Sequence, residues 1–85
     1  MPTVLLIGPY RFYFYSHDLI HEAPHVHVDR DDLSAKFWLK PVVLARNLGF
    51  NASELRRIER IVASYQTDFL AKWDKEYGRA TGRTN

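Results

Sequence analysis

The chain has 85 residues, 46% hydrophobic and 26% charged, which suits one globular domain with a modest core and argues against a disordered chain. It holds no cysteine, which excludes disulfide scaffolds, thiolate zinc sites and cysteine nucleophiles, and its net charge of +2 neither demands nor excludes nucleic acid. No apolar run approaches the roughly 18 residues of a membrane helix, and MPTVLLIGPYRF lacks the charged start and cleavage site of a secretion signal. The expectation is a cytoplasmic protein without membrane contact.

Residues 3–7 (TVLLI) are a continuous apolar run that ends at the turn signal Gly8-Pro9. Residues 10–15 (YRFYFY) are almost wholly aromatic and read as a strand, with Phe12 and Phe14 on one side and Arg11, Tyr13 and Tyr15 on the other. Residues 16–24 (SHDLIHEAP) are polar, end in proline and read as a loop. HVHVDR at 25–30 alternates with period two, so Val26 and Val28 oppose His25, His27 and Asp29. After an Asp31-Asp32 turn, SAKFWLK (34–40) alternates again, setting Ala35, Phe37 and Leu39 against Lys36, Trp38 and Lys40. Pro41 ends that strand because it cannot donate to a ladder. Residues 42–50 (VVLARNLGF) fit either a fifth strand or a helical turn, closed by Gly49.

Asn51 followed by Glu54 is an Asx variant of the capping box and predicts a helix from about residue 52. Leu55, Ile58, Val62, Tyr65, Phe69, Trp73 and Tyr77 then recur every three or four residues, one apolar stripe on a helix of about seven turns. Gly78 is the expected stop, leaving a single domain over 1–78 and a frayed tail over 79–85. These pieces predict an α+β fold: an antiparallel meander of four or five short strands, covered on one face by one long C-terminal helix.

The uncovered face would then carry Arg11, Tyr13, Tyr15, His25, His27, Lys36, Trp38 and Lys40. Rings for stacking bases and cations for phosphates are what single-stranded nucleic acid requires. Aromatic groups on a strand face also pack against a partner protein or a second copy of the chain, which for the rings alone is the commoner use.

All four histidines fall between positions 17 and 27, and three readings stand side by side. His25 and His27, on one strand face, could chelate a metal with His17, His21 or the neighbouring Asp18, Glu22 and Asp29. They could instead act as an acid–base pair that cleaves RNA without metal or other cofactor, with Lys36 and Arg11 holding the phosphate. The third and commonest role is structural, satisfying loop carbonyls. On the helix, Arg56, Arg57 and Arg60, with Arg46 near them in sequence, concentrate guanidiniums that match phosphates or carboxylates. Glu54 and Glu59 interleave with them as ordinary surface pairing does.

The runs MPTVLLIGPYRFYFYSHD, EAPHVHVDRDD, AKFWL and LARNLGFNASELRRIERIV resemble the bacterial family known as domain of unknown function 4160 over about residues 1–77. The likeness centres on Glu22 to Val28 followed by AKFWL, with Ala23 where the family usually has proline. It does not extend to His17 and His21. The resemblance implies one member of a two-protein, toxin–antitoxin-like module, with the toxin-like member as the expectation and an antitoxin-like cognate small protein encoded alongside. The resulting expectation is an RNA-binding or RNA-cleaving protein using His25, His27 and Lys36, with Arg11, Tyr13, Tyr15, Trp38, Lys40, Arg56, Arg57 and Arg60 contacting RNA or a partner. The alternatives are a non-enzymatic interaction module, homo- or hetero-oligomeric, and a metal-binding regulator.

Overall fold

A computed structural model describes residues 3–80 and 82. Five strands follow in chain order: β1 (Thr3–Ile7), β2 (Tyr10–Tyr13), β3 (His25–Arg30), β4 (Leu33–Leu39) and β5 (Val42–Leu48). A one-turn helix, α1 (Asp18–His21), interrupts the β2–β3 connection, and α2 (Ala52–Ser64) and α3 (Gln66–Ala80) follow the sheet. The spatial order is β1-β2-β3-β4-β5 with every neighbouring pair antiparallel, so the predicted α+β meander is the architecture of the molecule.

The turn chemistry explains the close succession of strands. Asp31 takes a left-handed φ of 54° between β3 and β4, which aspartate tolerates in a two-residue hairpin. Residues 42–50, open between strand and helical turn from the sequence, form β5. It ends at Gly49, where a φ of 104° favours glycine and a Cβ would stand 2.5 Å from Leu33 Cδ2, so a side chain would be strained and Leu33 would have to move.

Register places the apolar alternation on one face: Phe12 opposes Val28, Val28 opposes Ala35, and Val26 opposes Phe37. These residues, Phe14 and Leu39 are buried against Ile58, Val62, Phe69 and Trp73 of the helices. Each large apolar side chain removed from water there contributes about 1.5–3 kcal/mol. Tyr10, Leu19 and Phe50 join the core although the alternation did not mark them.

The helical stretch differs from the prediction in two ways. The single seven-turn helix is divided at Tyr65 (φ −106°, ψ 13°) into α2 and α3, although Tyr65 N–H still donates to Ile61 and its own carbonyl accepts from Phe69. No proline or glycine stands there. The bend coincides with Gln66, whose side-chain amide donates to the Leu39 carbonyl at 2.6 Å and ties the joint to the end of β4. At the far end α3 continues through Gly78 to Ala80; a glycine inside a helix costs only about 1 kcal/mol relative to alanine. Of the predicted tail over 79–85, all but Arg79, Ala80 and Gly82 lies outside the described residues. No helix among the described residues is long and apolar enough to cross a membrane.

Candidate functional site

The face of the sheet away from α2 is laid out in rows by strand register. Tyr13, His27, Lys36 and Arg46 form one row across β2, β3, β4 and β5. Arg11, Asp29, Ser34 and Leu48 form the row on one side of it, and His25, Trp38 and Val43 the row on the other. Period-two alternation thus brings together the groups that the sequence assigned to this face.

The loop expected over residues 16–24 contains α1, and that single turn changes the chemistry. Asp18 N–H donates to the Tyr15 carbonyl, Glu22 N–H donates to the Asp18 carbonyl, and buried Leu19 anchors the turn against α3. Asp18 is thereby carried onto the histidines of β3. His25 is fully buried, at 0% exposure, between the rings of Trp38 and Trp73, 5.6 and 5.1 Å away. Its Nδ1–H donates to the Ala23 carbonyl at 2.9 Å, and its Nε2 stands 2.9 Å from Asp18 Oδ2. His27 Nε2–H donates to the same oxygen at 3.0 Å. One carboxylate oxygen therefore receives both imidazoles.

Burial alone pushes the Asp18 carboxyl up, but the hydrogen bonds and charges of His27 and His25 outweigh it and leave the group below its ordinary value. Burial pushes His27 down, and Asp18 only partly offsets this, while His25 and Lys36 add to the lowering. The two histidines also differ in access. His25 does not reach the open face, so the predicted pair is not arranged to flank one substrate. His27 Nδ1 has no hydrogen-bond partner among the described residues, and because no buried side-chain polar atom among them lacks a partner, this nitrogen is open to solvent.

His27 forms part of the wall of a cavity of about 150 Å³ that Tyr15, Ser34, Lys36, Arg46 and Leu48 also line. Arg46 has no ion-pair partner among the described residues, whereas Lys36 pairs with Glu22 and lies 4.5 Å above the Trp38 ring. Tyr15 is 43% exposed and packs edge-on to His27 at 4.6 Å. Tyr13, expected to offer a stacking surface, is only 3% exposed: Arg11 lies over its ring at 4.4 Å and His27 stacks on it at 5.3 Å. Its hydroxyl donates to Asp29, and burial with the hydrogen bonds of Tyr15 and Asp29 pushes the phenol well up. Arg11 donates to Thr3 Oγ1 at 3.0 Å and sits 3.9 Å from Asp29, so the predicted Lys36–Arg11 phosphate clamp is engaged within the protein.

Other predicted residues lie elsewhere. The exposed His17, just before α1, and His21, its last residue, stack on each other at 4.2 Å outside the Asp18 cluster. Lys40 is exposed in the β4–β5 turn, outside the cavity lining. Arg56, Arg57 and Arg60 are exposed on α2, across the sheet from Arg46. Arg46 is near them in sequence, but as a strand residue opposite Lys36 it belongs to the cavity. The sequence named Asp18 only as one optional metal ligand among several, and its true signal was local: a carboxylate in a short turn before the His-x-His strand.

A larger cavity of about 340 Å³ lies between β1 and α3, lined mainly by Val4, Leu5, Tyr65 and Phe69, with Asp68 and Lys72. It holds no convergent set of titratable groups comparable to the Asp18 cluster.

A family model described as domain of unknown function (DUF4160) matches residues 10–74, which include every member of the Asp18 cluster and of the cavity beside it. No curated protein and no solved structure matches the chain.

Proposed function

The chain belongs to the DUF4160 family, and on that premise we propose that it binds single-stranded RNA on the open face of its sheet, as one member of a two-protein module in the cytoplasm. The observation that carries the reading is Arg46, a guanidinium without an ion-pair partner among the described residues, which lines the same small cavity as His27. A cavity of about 150 Å³ suits a sugar–phosphate unit of a strand lying across the face rather than a whole enclosed ligand. Arg46 pairs with the phosphate, while Lys36, held by Glu22, adds positive charge beside it. His27 Nδ1 accepts a hydrogen bond when Nε2–H is donated to Asp18, and a ribose 2′-hydroxyl is the group that donates it, which separates RNA from DNA. Tyr15 supplies the exposed ring for one base. With His25 sealed, the arrangement supports binding ahead of two-imidazole cleavage.

Anisotropy titrations with a labelled single-stranded RNA and its DNA counterpart test this reading. RNA is expected to bind more tightly than DNA, and Arg46→Ala to lower the salt slope of binding by about one. Lys40→Ala, outside the cavity, is expected to leave that slope in place. Equal binding of RNA and DNA, or no binding at low salt, would sink the proposal.

A second reading follows from β5. It is an edge strand with Val43 47% and Leu48 54% exposed, a row of unpaired backbone groups beside apolar side chains. In this reading the cognate small protein of the module adds a strand there. Co-expression and sizing of the pair check it, with Val43→Lys expected to abolish co-elution.

A further inference from the structure

Among the described residues, the one buried polar side chain is His25. Its Nδ1–H is committed to the Ala23 carbonyl at 2.9 Å. In a neutral ring the remaining nitrogen, Nε2, then carries a lone pair, and that lone pair faces Asp18 Oδ2, another acceptor, at 2.9 Å. Two acceptors held this close out of water need a positive centre between or beside them. His27 Nε2 converges on the same oxygen at 3.0 Å, and the three ligand atoms all lie within 4.8 Å of one another.

We propose that Asp18 Oδ2, His25 Nε2 and His27 Nε2 bind one divalent transition-metal ion of the zinc class. Ligands about 2.0–2.1 Å from such an ion and 90–109° apart stand about 3.0–3.4 Å from each other, so the observed N···O separations need little adjustment. Two imidazoles and a carboxylate suit zinc, cobalt or nickel, and they exclude the thiolate chemistry that a chain without cysteine could not supply. The bond from His25 Nδ1 to the Ala23 carbonyl is the outer contact that orients a ligating imidazole and fixes its tautomer. The ligands join α1 to β3, so the ion clamps the short turn over the sheet. The site goes beyond the RNA reading and does not rest on it, because it uses Nε2 of His27 and leaves Nδ1 unligated. Nδ1 then carries the proton and becomes a donor, which a 2′-hydroxyl also satisfies.

The test uses the full chain after treatment with a chelator and dialysis. Co²⁺ is added alone and followed by its visible absorption and by tryptophan fluorescence, which reports on the site because Trp73 and Trp38 lie 5.1 and 5.6 Å from the His25 ring. Zn²⁺ is then added to displace it. One Co²⁺ per chain, quenched fluorescence, displacement by Zn²⁺ and a raised melting temperature are expected. Asp18→Asn and His27→Gln, both near-isosteric and on partly accessible residues, are each expected to weaken binding at least tenfold. The double variant His17→Ala/His21→Ala removes the exposed imidazole pair and is expected to leave binding unchanged. The proposal is overturned if no saturable binding occurs, or if binding survives Asp18→Asn and is lost in the His17/His21 double variant. It is also overturned if imidazole ¹⁵N spectra in the presence of excess Zn²⁺ show His25 protonated at both nitrogens, a proton then serving as the positive centre.

Discussion

Two carboxylates, one on each side of the sheet, organise the polar groups of this molecule in contrasting ways. On the helix side, Glu54 receives Arg30 Nε–H at 2.6 Å and Nη2–H at 2.8 Å, and the Tyr10 hydroxyl at 2.7 Å, while its own backbone N–H donates to Asn51 Oδ1 at 2.8 Å. Every contact there joins a donor to an acceptor, and the cluster locks the start of α2 to β2 and β3. On the open side, one oxygen of Asp18 faces two imidazole nitrogens, and with His25 neutral the available protons do not match the acceptors. The comparison separates a cluster that is complete in itself from one that needs something more. Polar groups that close on each other hold a fold together, and polar groups left with unmet valence are where a ligand enters.

The contrast predicts a ranking of effects. The largest belongs to His25→Ala, which leaves a cavity between two tryptophans and removes one of the two imidazoles at Asp18: a loss of about 3 kcal/mol in denaturant melts is expected. A negligible loss would show that the open-side cluster contributes nothing to folding and would break the comparison.

Next comes the acid response of the helix-side cluster. Hydrogen bonds from Arg30 and then Tyr10 hold the Glu54 carboxyl at about 2, against an ordinary value of 4.5. A carboxyl depressed in the folded state stabilises fully above its unfolded value, and that contribution is lost as pH falls through the folded one. The stability advantage of the parent over Glu54→Gln is therefore expected in full above pH 4.5, and to shrink as pH falls toward about 2, measured by melts across that range. Parallel curves would mean that the cluster does not titrate as a unit.

Asn51→Ala removes the cap that precedes Glu54 and is expected to cost about 1 kcal/mol. The smallest effect belongs to His17→Ala/His21→Ala at the exposed ends of α1, expected within about 0.5 kcal/mol of the parent in metal-free buffer. A larger loss would mean that the stacked pair, and not Asp18 alone, holds the turn in place.

The two clusters also differ in how much of each could be read beforehand. Asn51 and Glu54 lie three residues apart and their cap was legible, because capping is local. The further use of Glu54 was not: in the capping-box pattern its side chain returns to the cap, whereas here it is taken by Arg30 and Tyr10, 24 and 44 residues away. For the open face, alternation correctly gathered His25, His27, Lys36 and Trp38, yet it could not separate the sealed His25 from the accessible His27. That difference comes from α1 and Trp73 closing over one end of β3. Nor could it show that Tyr13 is covered by Arg11 and His27.

Period-two and helical alternation determined the apolar face of the sheet and the helical stripe, and local turn and cap signals added the meander and the start of α2. The first two depend on which side of a strand or helix a residue occupies, the others on neighbours a few residues away, and a regular backbone dictates both from position. Only the tertiary structure decided that Asp18 meets two histidines, that Arg46 belongs to the cavity rather than to the arginines of α2, and that the helix bends at Tyr65. Those outcomes depend on a one-turn helix, a strand register and a side-chain tie to Leu39, all set by contacts between residues distant in the chain and therefore without a period to betray them.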